Sequence, residues 1–207
     1  MNIEITKQIN LDNNDGLSSV FGLAAQQHHE AYQVFYDFIK ENEPARILEI
    51  GTALGGFTQF LKRCVVSLGL NTDIRSYDIH EMRWYKDMIS QGIDVRVENI
   101  FSPDYSTCDP EVIEYIKQPG ATVILCDGGD KIREFRLLAN YVRVGDFIMA
   151  HDYAHSIDVF NATVNRKRWN WCEITLSDIQ SSVYANDLIG YNYHKFENVA
   201  WTCMTKL

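Results

Sequence analysis

The chain has 207 residues, 46% of them hydrophobic and 23% charged, enough for one sheet covered by helices on both faces. Its formal charge of −9 argues against a nucleic-acid partner, because phosphate binding relies on clustered Lys and Arg. No apolar run nears the roughly 20 residues of a membrane span, MNIEITKQIN is no secretory leader, and the five scattered cysteines lack a Cys-x-x-Cys pair, so a cytoplasmic protein with reduced thiols is expected.

Residues 1–16 are polar and end in LDNNDG, a loose start. From Leu17 to Lys40 the apolar positions Val20, Leu23, Ala24, Tyr32, Phe35, Phe38 and Ile39 predict one helix, ended by Glu43-Pro44. That makes 1–44 a helical extension and 45–207 an α/β core, within a single domain 1–207. His28-His29-Glu30 has metal-binding vocabulary, but neighbours on a helix do not share a face, so a solvated or interfacial role is expected. The helix could cover a site or build a homodimer, since twofold pairs are common among enzymes.

Strand and helix then alternate. Strands are predicted at 45–50, 73–79, 93–98, 122–127 and 145–151, with helices at 56–68, 82–91, 110–117 and 131–142. This rhythm implies a mostly parallel, doubly wound sheet. Arg166-Lys167-Arg168 reads as the basic end of a helix. WNWCEITLSD and NVAWTCMTKL are strand-like runs on either side of a Tyr-rich stretch at 184–195, and predict an antiparallel pair at one sheet edge. Tyr184, Tyr191, Tyr193 and His194 in that stretch suit a pocket or a subunit contact.

The first strand runs into a glycine turn, RILEIGTALGGFTQFLKR. A strand, a Gly-rich turn and a helix leave free N–H groups where a ligand can bind. A dinucleotide fingerprint would want glycine at 51, 53 and 56, yet position 53 is Ala. Glu49 before the turn would repel a pyrophosphate but suits a cationic ligand, such as the ammonium and sulfonium of S-adenosylmethionine. Asp78, at the end of RSYDI, could accept both hydrogen bonds of a ribose diol, or could cap the next helix. Asn99 could meet the adenine edge or serve only a turn. Trp84 and Tyr85 could stack near the adenine or be core residues.

LEIGTALGG, SYDI, VENIF, VILCDGG and FIMAHDY, in that order over Ala45 to Asp152, resemble the class I S-adenosylmethionine-dependent methyltransferases. The likeness is greatest to the cephalosporin hydroxylase-like and macrolide sugar O-methyltransferase group. It implies a Rossmann-like, mostly parallel seven-stranded sheet with a C-terminal antiparallel hairpin. It also implies a cofactor held around Glu49, Gly51, Thr52, Gly55, Gly56 and Asp78, with Thr58 a further candidate. Those relatives typically have Asp-Gly-Gly-His where this chain has Asp127-Gly128-Gly129-Asp130, and two acids where it has His151-Asp152.

Asp127 and Asp152 end the fourth and fifth parallel strands. Adjacent strands lie roughly 4.8 Å apart, so both carboxylates could reach one ion. Oxygen ligands suit Mg²⁺ or Ca²⁺, and His151 as a third ligand would favour softer ions such as Mn²⁺, Fe²⁺ or Zn²⁺. In the resembling families these positions bind a divalent ion, which could hold an acceptor hydroxyl. His151 could equally be a core histidine, facing away from Asp152 if the strand continues.

Besides Asp127, candidates for handling the hydroxyl proton are Asp130, Lys131 and His155. Each has a plainer role: helix N-cap, solvated lysine and loop residue, respectively. The expected activity is O-methylation of a small-molecule hydroxyl. A non-catalytic cofactor-binding protein and an NAD(P)-dependent oxidoreductase are the alternatives, the latter disfavoured by Glu49 and Ala53.

Overall fold

The computed structural model describes residues 1, 3–6, 9–11, 17–166 and 168–207. Part of the expected loose start, at 2, 7–8 and 12–16, and Lys167 of the basic cluster lie outside the described residues.

The chain begins with α1 (Ile3–Thr6) and a three-stranded antiparallel sheet of β1 (Ile9–Leu11), β2 (Leu17–Val20) and β3 (Leu23–Gln26). Helix α2 (Ala31–Asn42) follows. This corrects the single helix expected over 17–40. Phe21 and Gly22 both have positive φ, 50° and 83°, as a two-residue hairpin turn requires. Ser18 and Ser19 are indifferent helix formers. The hairpin also packs so tightly on the helix at Gly56–Ser67 that a Cβ on Gly56 would lie 2.5 Å from the Ala24 carbonyl oxygen. The genuine helix buries one stripe, Ala31, Tyr32, Phe35, Phe38 and Ile39, and stops at Glu43, whose N–H returns to the Ile39 carbonyl.

The core runs β4 (Arg46–Ile50), α3 (Gly56–Ser67), β5 (Asp73–Asp78), α4 (Tyr85–Ser90), β6 (Asp94–Val97), α5 (Pro110–Lys117), β7 (Thr122–Cys126), α6 (Lys131–Leu138) and β8 (Phe147–His151). It continues through β9 (Tyr153–Ala154), α7 (Ile157–Val159), β10 (Ile174–Thr175), α8 (Leu176–Ala185), β11 (Leu188–Gly190), α9 (Tyr193–Glu197) and β12 (Trp201–Lys206). The seven-stranded sheet has the order β11-β12-β8-β7-β4-β5-β6. Strands β4 to β8 are parallel to one another, whereas β12 is antiparallel to β8 and to β11.

The edge hairpin is present, but its first strand differs from the one expected. In 169–178 only Ile174–Thr175 is extended, and it pairs with β9. Thr175 and Asp178 form a capping box that starts α8, and Leu188–Gly190 supplies the strand. The Thr-x-x-Asp signal outweighed the strand-like composition.

Strands β4, β7 and β8 are buried along their whole length. Their residues alternate between two cores: Ile47, Val123 and Met149 face α2 and α3, while Leu48, Ile124 and Ile148 face α5, α6 and α8. In the first core, Phe35 meets the rings of Phe57 at 5.0 Å, Trp201 at 5.1 Å and Phe196 at 5.4 Å, all edge to face. Among the described residues no helix is long and apolar enough to cross a membrane. The chain leaves β4 for β5 on one side and later returns to β7 on the other. A crevice therefore opens at the carboxyl ends of these strands, the usual ligand position in such sheets.

Candidate active site

The glycine turn is held from three sides. Gly51 has φ 95°, its N–H donates to the Tyr77 carbonyl at 2.8 Å, and a Cβ there would stand 2.2 Å from the Asp127 carbonyl oxygen. Glycine is thus required by the neighbouring strand end as much as by any ligand. Ala53 takes the left-handed conformation, φ 45°, and donates its N–H to Asp78 Oδ2 at 2.7 Å. The Tyr85 hydroxyl donates to the Ala53 carbonyl at 3.0 Å, so Tyr85 braces the turn and is itself buried. Gly55, φ 79°, is the N-cap of α3, and a Cβ there would meet Met88 Sδ at 2.8 Å.

Two cavities flank this turn. The larger, about 400 Å³, lies over the ends of β4, β5 and β6. Asp78 and Asn99 line it, with an apolar wall of Ile79, Ile100 and the stacked rings of Phe101 and Tyr105, 4.9 Å apart. Its acids are Asp78, Glu98, Asp127 and Glu134, and among the described residues no Lys or Arg lines it. Asp78 Oδ1 accepts the His80 N–H at 2.9 Å, and Asn99 Oδ1 accepts that of Phe101 at 3.0 Å. The smaller cavity, about 200 Å³, lies between the β2–β3 hairpin and the ends of β7 and β8. Gly51, Ala53 and Asp127 line both, while Thr52, Gly55 and Gly56 line the smaller one.

Glu49 and Thr58 line neither cavity. Glu49 is 2% exposed and accepts hydrogen bonds from Thr58 Oγ1 at 2.5 Å and from Ser76 Oγ. Burial pushes its carboxyl up to about 7 against the pull of those two hydroxyls. The group braces β4, β5 and α3 behind the turn, where the sequence suggested a contact with the cofactor.

At the junction of the cavities, Asp127 faces His151 Nδ1 at 3.0 Å and accepts from Gln27 Nε2 at 3.1 Å. Gln27 Oε1 in turn accepts from Trp201 Nε1 at 2.8 Å. Asp152 Oδ1 accepts from Trp169 Nε1 at 2.6 Å. The imidazole of His151 is 2% exposed and lies between the rings of Trp201, at 4.8 Å, and Trp169, at 5.2 Å. Alternation would send Asp152 to the opposite face, but β8 ends at His151 and Asp152 turns left-handed, φ 55°. Donor atoms of Asp127, His151 and Asp152 consequently fall within 4.8 Å of one another.

Lys131 completes the cluster. It is 7% exposed, with Nζ at 2.7 Å from Glu173 Oε2, 3.1 Å from Asp152 Oδ2, 3.3 Å from the Gly128 carbonyl and 3.8 Å from Asp127 Oδ1. Burial alone would lower its pKa, but the surrounding carboxylates outweigh it and raise the pKa. Lys131 is thus tied into an ion-paired cluster, in place of the solvated position expected. The same contest raises the pKa of His151: burial opposes its charge, while Asp127 and Asp152 favour it.

A divalent ion does not fit this donor set. The position between the carboxylates holds the Lys131 ammonium, 3.1 Å from Asp152 Oδ2 and 2.7 Å from Glu173 Oε2.

The other candidates keep their plainer roles. Asp130 is the N-cap of α6, accepting the Arg133 N–H at 3.1 Å. His155 Nδ1 contacts Tyr193 Oη at 2.7 Å, and neither Asp130 nor His155 lines the two cavities. Tyr184 is 72% exposed, and Tyr191 donates to Asn42 Oδ1 at 3.2 Å. Trp84 lines a separate hollow with Arg83 and Asp87. His28, His29 and Glu30 precede α2, so the helical-face argument does not apply, and their donor atoms fall within 4.8 Å of one another. Burial, helped by His29, pushes His28 down to about 4.

Sequence reasoning missed Gln27, Glu134, Trp169, Glu173 and Trp201. Glu134 is 1% exposed and accepts the N–H groups of Gly128, at 3.1 Å, and Asp130, at 3.2 Å, which shapes the loop after β7. An acid one turn beyond an Asp N-cap was the available signal. The two Trp partners carried none.

No curated protein matches the sequence. Among solved structures, CmcI with SAH aligns at a TM-score of 0.62 and 10% identity, over 100% of this chain and 92% of that one. CmcI with Mg and SAM aligns at 0.61 and 10% identity, over 100% and 85%. The SAH-bound methyltransferase PaMTH1 of Podospora anserina aligns at 0.52 and 12% identity, over 86% and 78%. At such identities the likeness is one of fold. The family model of the FtsJ-like methyltransferases matches residues 25–163, from the β2–β3 hairpin past α7 and across both cavities. The chain thus belongs to the FtsJ-like methyltransferase family and is a class I, S-adenosylmethionine-dependent methyltransferase.

Proposed function

We propose that the protein methylates a hydroxyl of a small polar molecule, a sugar or natural product, with the nucleoside of S-adenosylmethionine in the larger cavity and the acceptor in the smaller. The observation that carries this reading is Asp127, among the described residues the one ionisable group that lines both. Free lone pairs on Asp78 suit the ribose hydroxyls, and the wall of Ile79, Phe101 and Tyr105 suits a purine face. The absence of Lys and Arg from the larger cavity, with four acids present, favours a sulfonium ligand over the pyrophosphate of a dinucleotide. The size of the smaller cavity and the net charge of −9 favour a small acceptor over a nucleic acid.

In the transfer, the acceptor oxygen forms a bond to the methyl carbon as the carbon–sulfur bond breaks, leaving the electron pair on sulfur. The sulfonium is already activated, so alignment is the main requirement. The hydroxyl proton must also leave, and this reading gives its acceptance to Asp127. Gln27 and His151 fix the carboxylate from two sides. No step in this reading passes through a divalent ion, because Lys131 occupies the position between the acids.

Titration calorimetry with S-adenosylmethionine, S-adenosylhomocysteine and NAD⁺ tests the cofactor. Micromolar binding of the first two is expected, weakened about tenfold or more by Asp78→Ala. Asp127→Asn should keep that affinity within about threefold and lose about 100-fold in turnover on a panel of sugars and phenols. Binding of NAD⁺ alone would overturn the assignment. Tight cofactor binding without turnover across the panel would favour the non-catalytic alternative.

A further inference from the structure

The divalent-ion expectation and the observed cluster disagree over one atom, Lys131 Nζ. Four oxygens surround it: Glu173 Oε2 at 2.7 Å, Asp152 Oδ2 at 3.1 Å, the Gly128 carbonyl at 3.3 Å and Asp127 Oδ1 at 3.8 Å. Three carboxylates and a backbone carbonyl are the hard oxygen donors that Mg²⁺ and Mn²⁺ take. An ammonium has three protons, and here three acceptors lie within hydrogen-bond range, so none is left over for a substrate. The lysine is also fixed in place. It is 7% exposed and is the first residue of α6, directly after the Asp130 cap.

We propose that Lys131 is the resident cation of this cluster: it fills a cation position, so the protein binds no divalent ion there, and its removal uncovers a divalent-ion site of Asp127, Asp152 and Glu173. Lys131 is then a positioning residue. Its charge holds Asp152 and Glu173 together beside Asp127 and keeps the acids from repelling one another at the acceptor cavity. An ion would do the same, but its occupancy would follow metal supply. A covalently tethered ammonium is always present. Where the methyl-transfer reading holds, turnover is independent of added metal and unaffected by EDTA.

The test is titration with MnCl₂, by calorimetry and by the loss of the free Mn²⁺ paramagnetic resonance signal. It uses the wild type, Lys131→Met, and Lys131→Met combined with Asp152→Asn. The wild type should show no saturable Mn²⁺ binding up to millimolar concentration. Lys131→Met should bind at least tenfold more tightly than the wild type, and the added Asp152→Asn should abolish the gain. Saturable binding to the wild type that is lost in an Asp152→Asn single variant, measured alongside, would overturn the proposal. So would a folded Lys131→Met that gains nothing. If Lys131→Met does not fold, Lys131→Gln takes its place and the wild-type result still decides the first half. S-adenosylmethionine affinity is measured on the same samples. Its absence in the wild type would defeat the methyltransferase reading while leaving the metal result to stand alone.

Discussion

Glu49→Gln isolates the energetic cost of a buried acid. Glu49 is 2% exposed, and one of its oxygens accepts from both Thr58 and Ser76, so a glutamine oxygen can take the same two hydrogen bonds. Burial raises the carboxyl from the ordinary 4.5 to about 7. With the folded pKa above the unfolded one, the unfolded chain sheds its proton first as pH rises. Stability is intact below about pH 4.5, declines between the two pKa values, and levels off above about 7. At about 1.36 kcal/mol for each tenfold change in proton affinity, a rise from 4.5 to about 7 costs about 3 kcal/mol at pH 8. Glu49→Gln removes that cost and should raise Tm at pH 8 by about 6–10 °C for a chain of this size, with little change at pH 5. Thermal unfolding followed by circular dichroism at both pH values is the assay. An equal effect at both, or destabilisation at pH 8, would refute the account. A loss of S-adenosylmethionine affinity beyond about tenfold would show that the carboxylate touches the cofactor after all.

Glu134→Gln should behave differently. The two oxygens of Glu134 accept separate backbone N–H groups, so one would face an amide NH₂, and melting should show a loss of about 1–3 kcal/mol at pH 5. Gly51→Ala combines a positive φ with a 2.2 Å approach to the Asp127 carbonyl, and denaturant unfolding should register a loss of at least about 2 kcal/mol. Gln27→Ala strands the indole N–H of Trp201 and should cost about 1–3 kcal/mol in the same assay, with a fall in turnover because Asp127 loses a tether.

The strand–helix alternation made the parallel core legible, because strands buried on both faces cannot avoid long apolar runs. TVILC and FIMAH are such runs. The hairpin at 17–26 was hidden because Val20, Leu23 and Ala24 satisfy helical spacing, and only the Phe21-Gly22 turn marks the difference. In the site, Asp78 and Asp127 were legible as acids ending strands. The position of Asp152 was not, because it depends on one left-handed residue, a conformation that Asp tolerates but does not announce. Lys131 was visible as a residue but not as a buried cation. Its partner Glu173 lies 42 positions away, outside any local motif.

The hydrogen bond from Trp201 to Gln27 spans 174 positions. One end lies between β3 and α2 and the other at the start of β12. During synthesis, everything needed for the glycine turn and Asp78 emerges well before β12. All the residues that line the larger cavity are thus made before β12. The tether that holds Gln27 beside Asp127 is complete only once Trp201 has been made and β12 has paired with β8. A chain stopped short of Trp201 would lose that tether and, with it, the ring against which Phe35 and Phe57 pack.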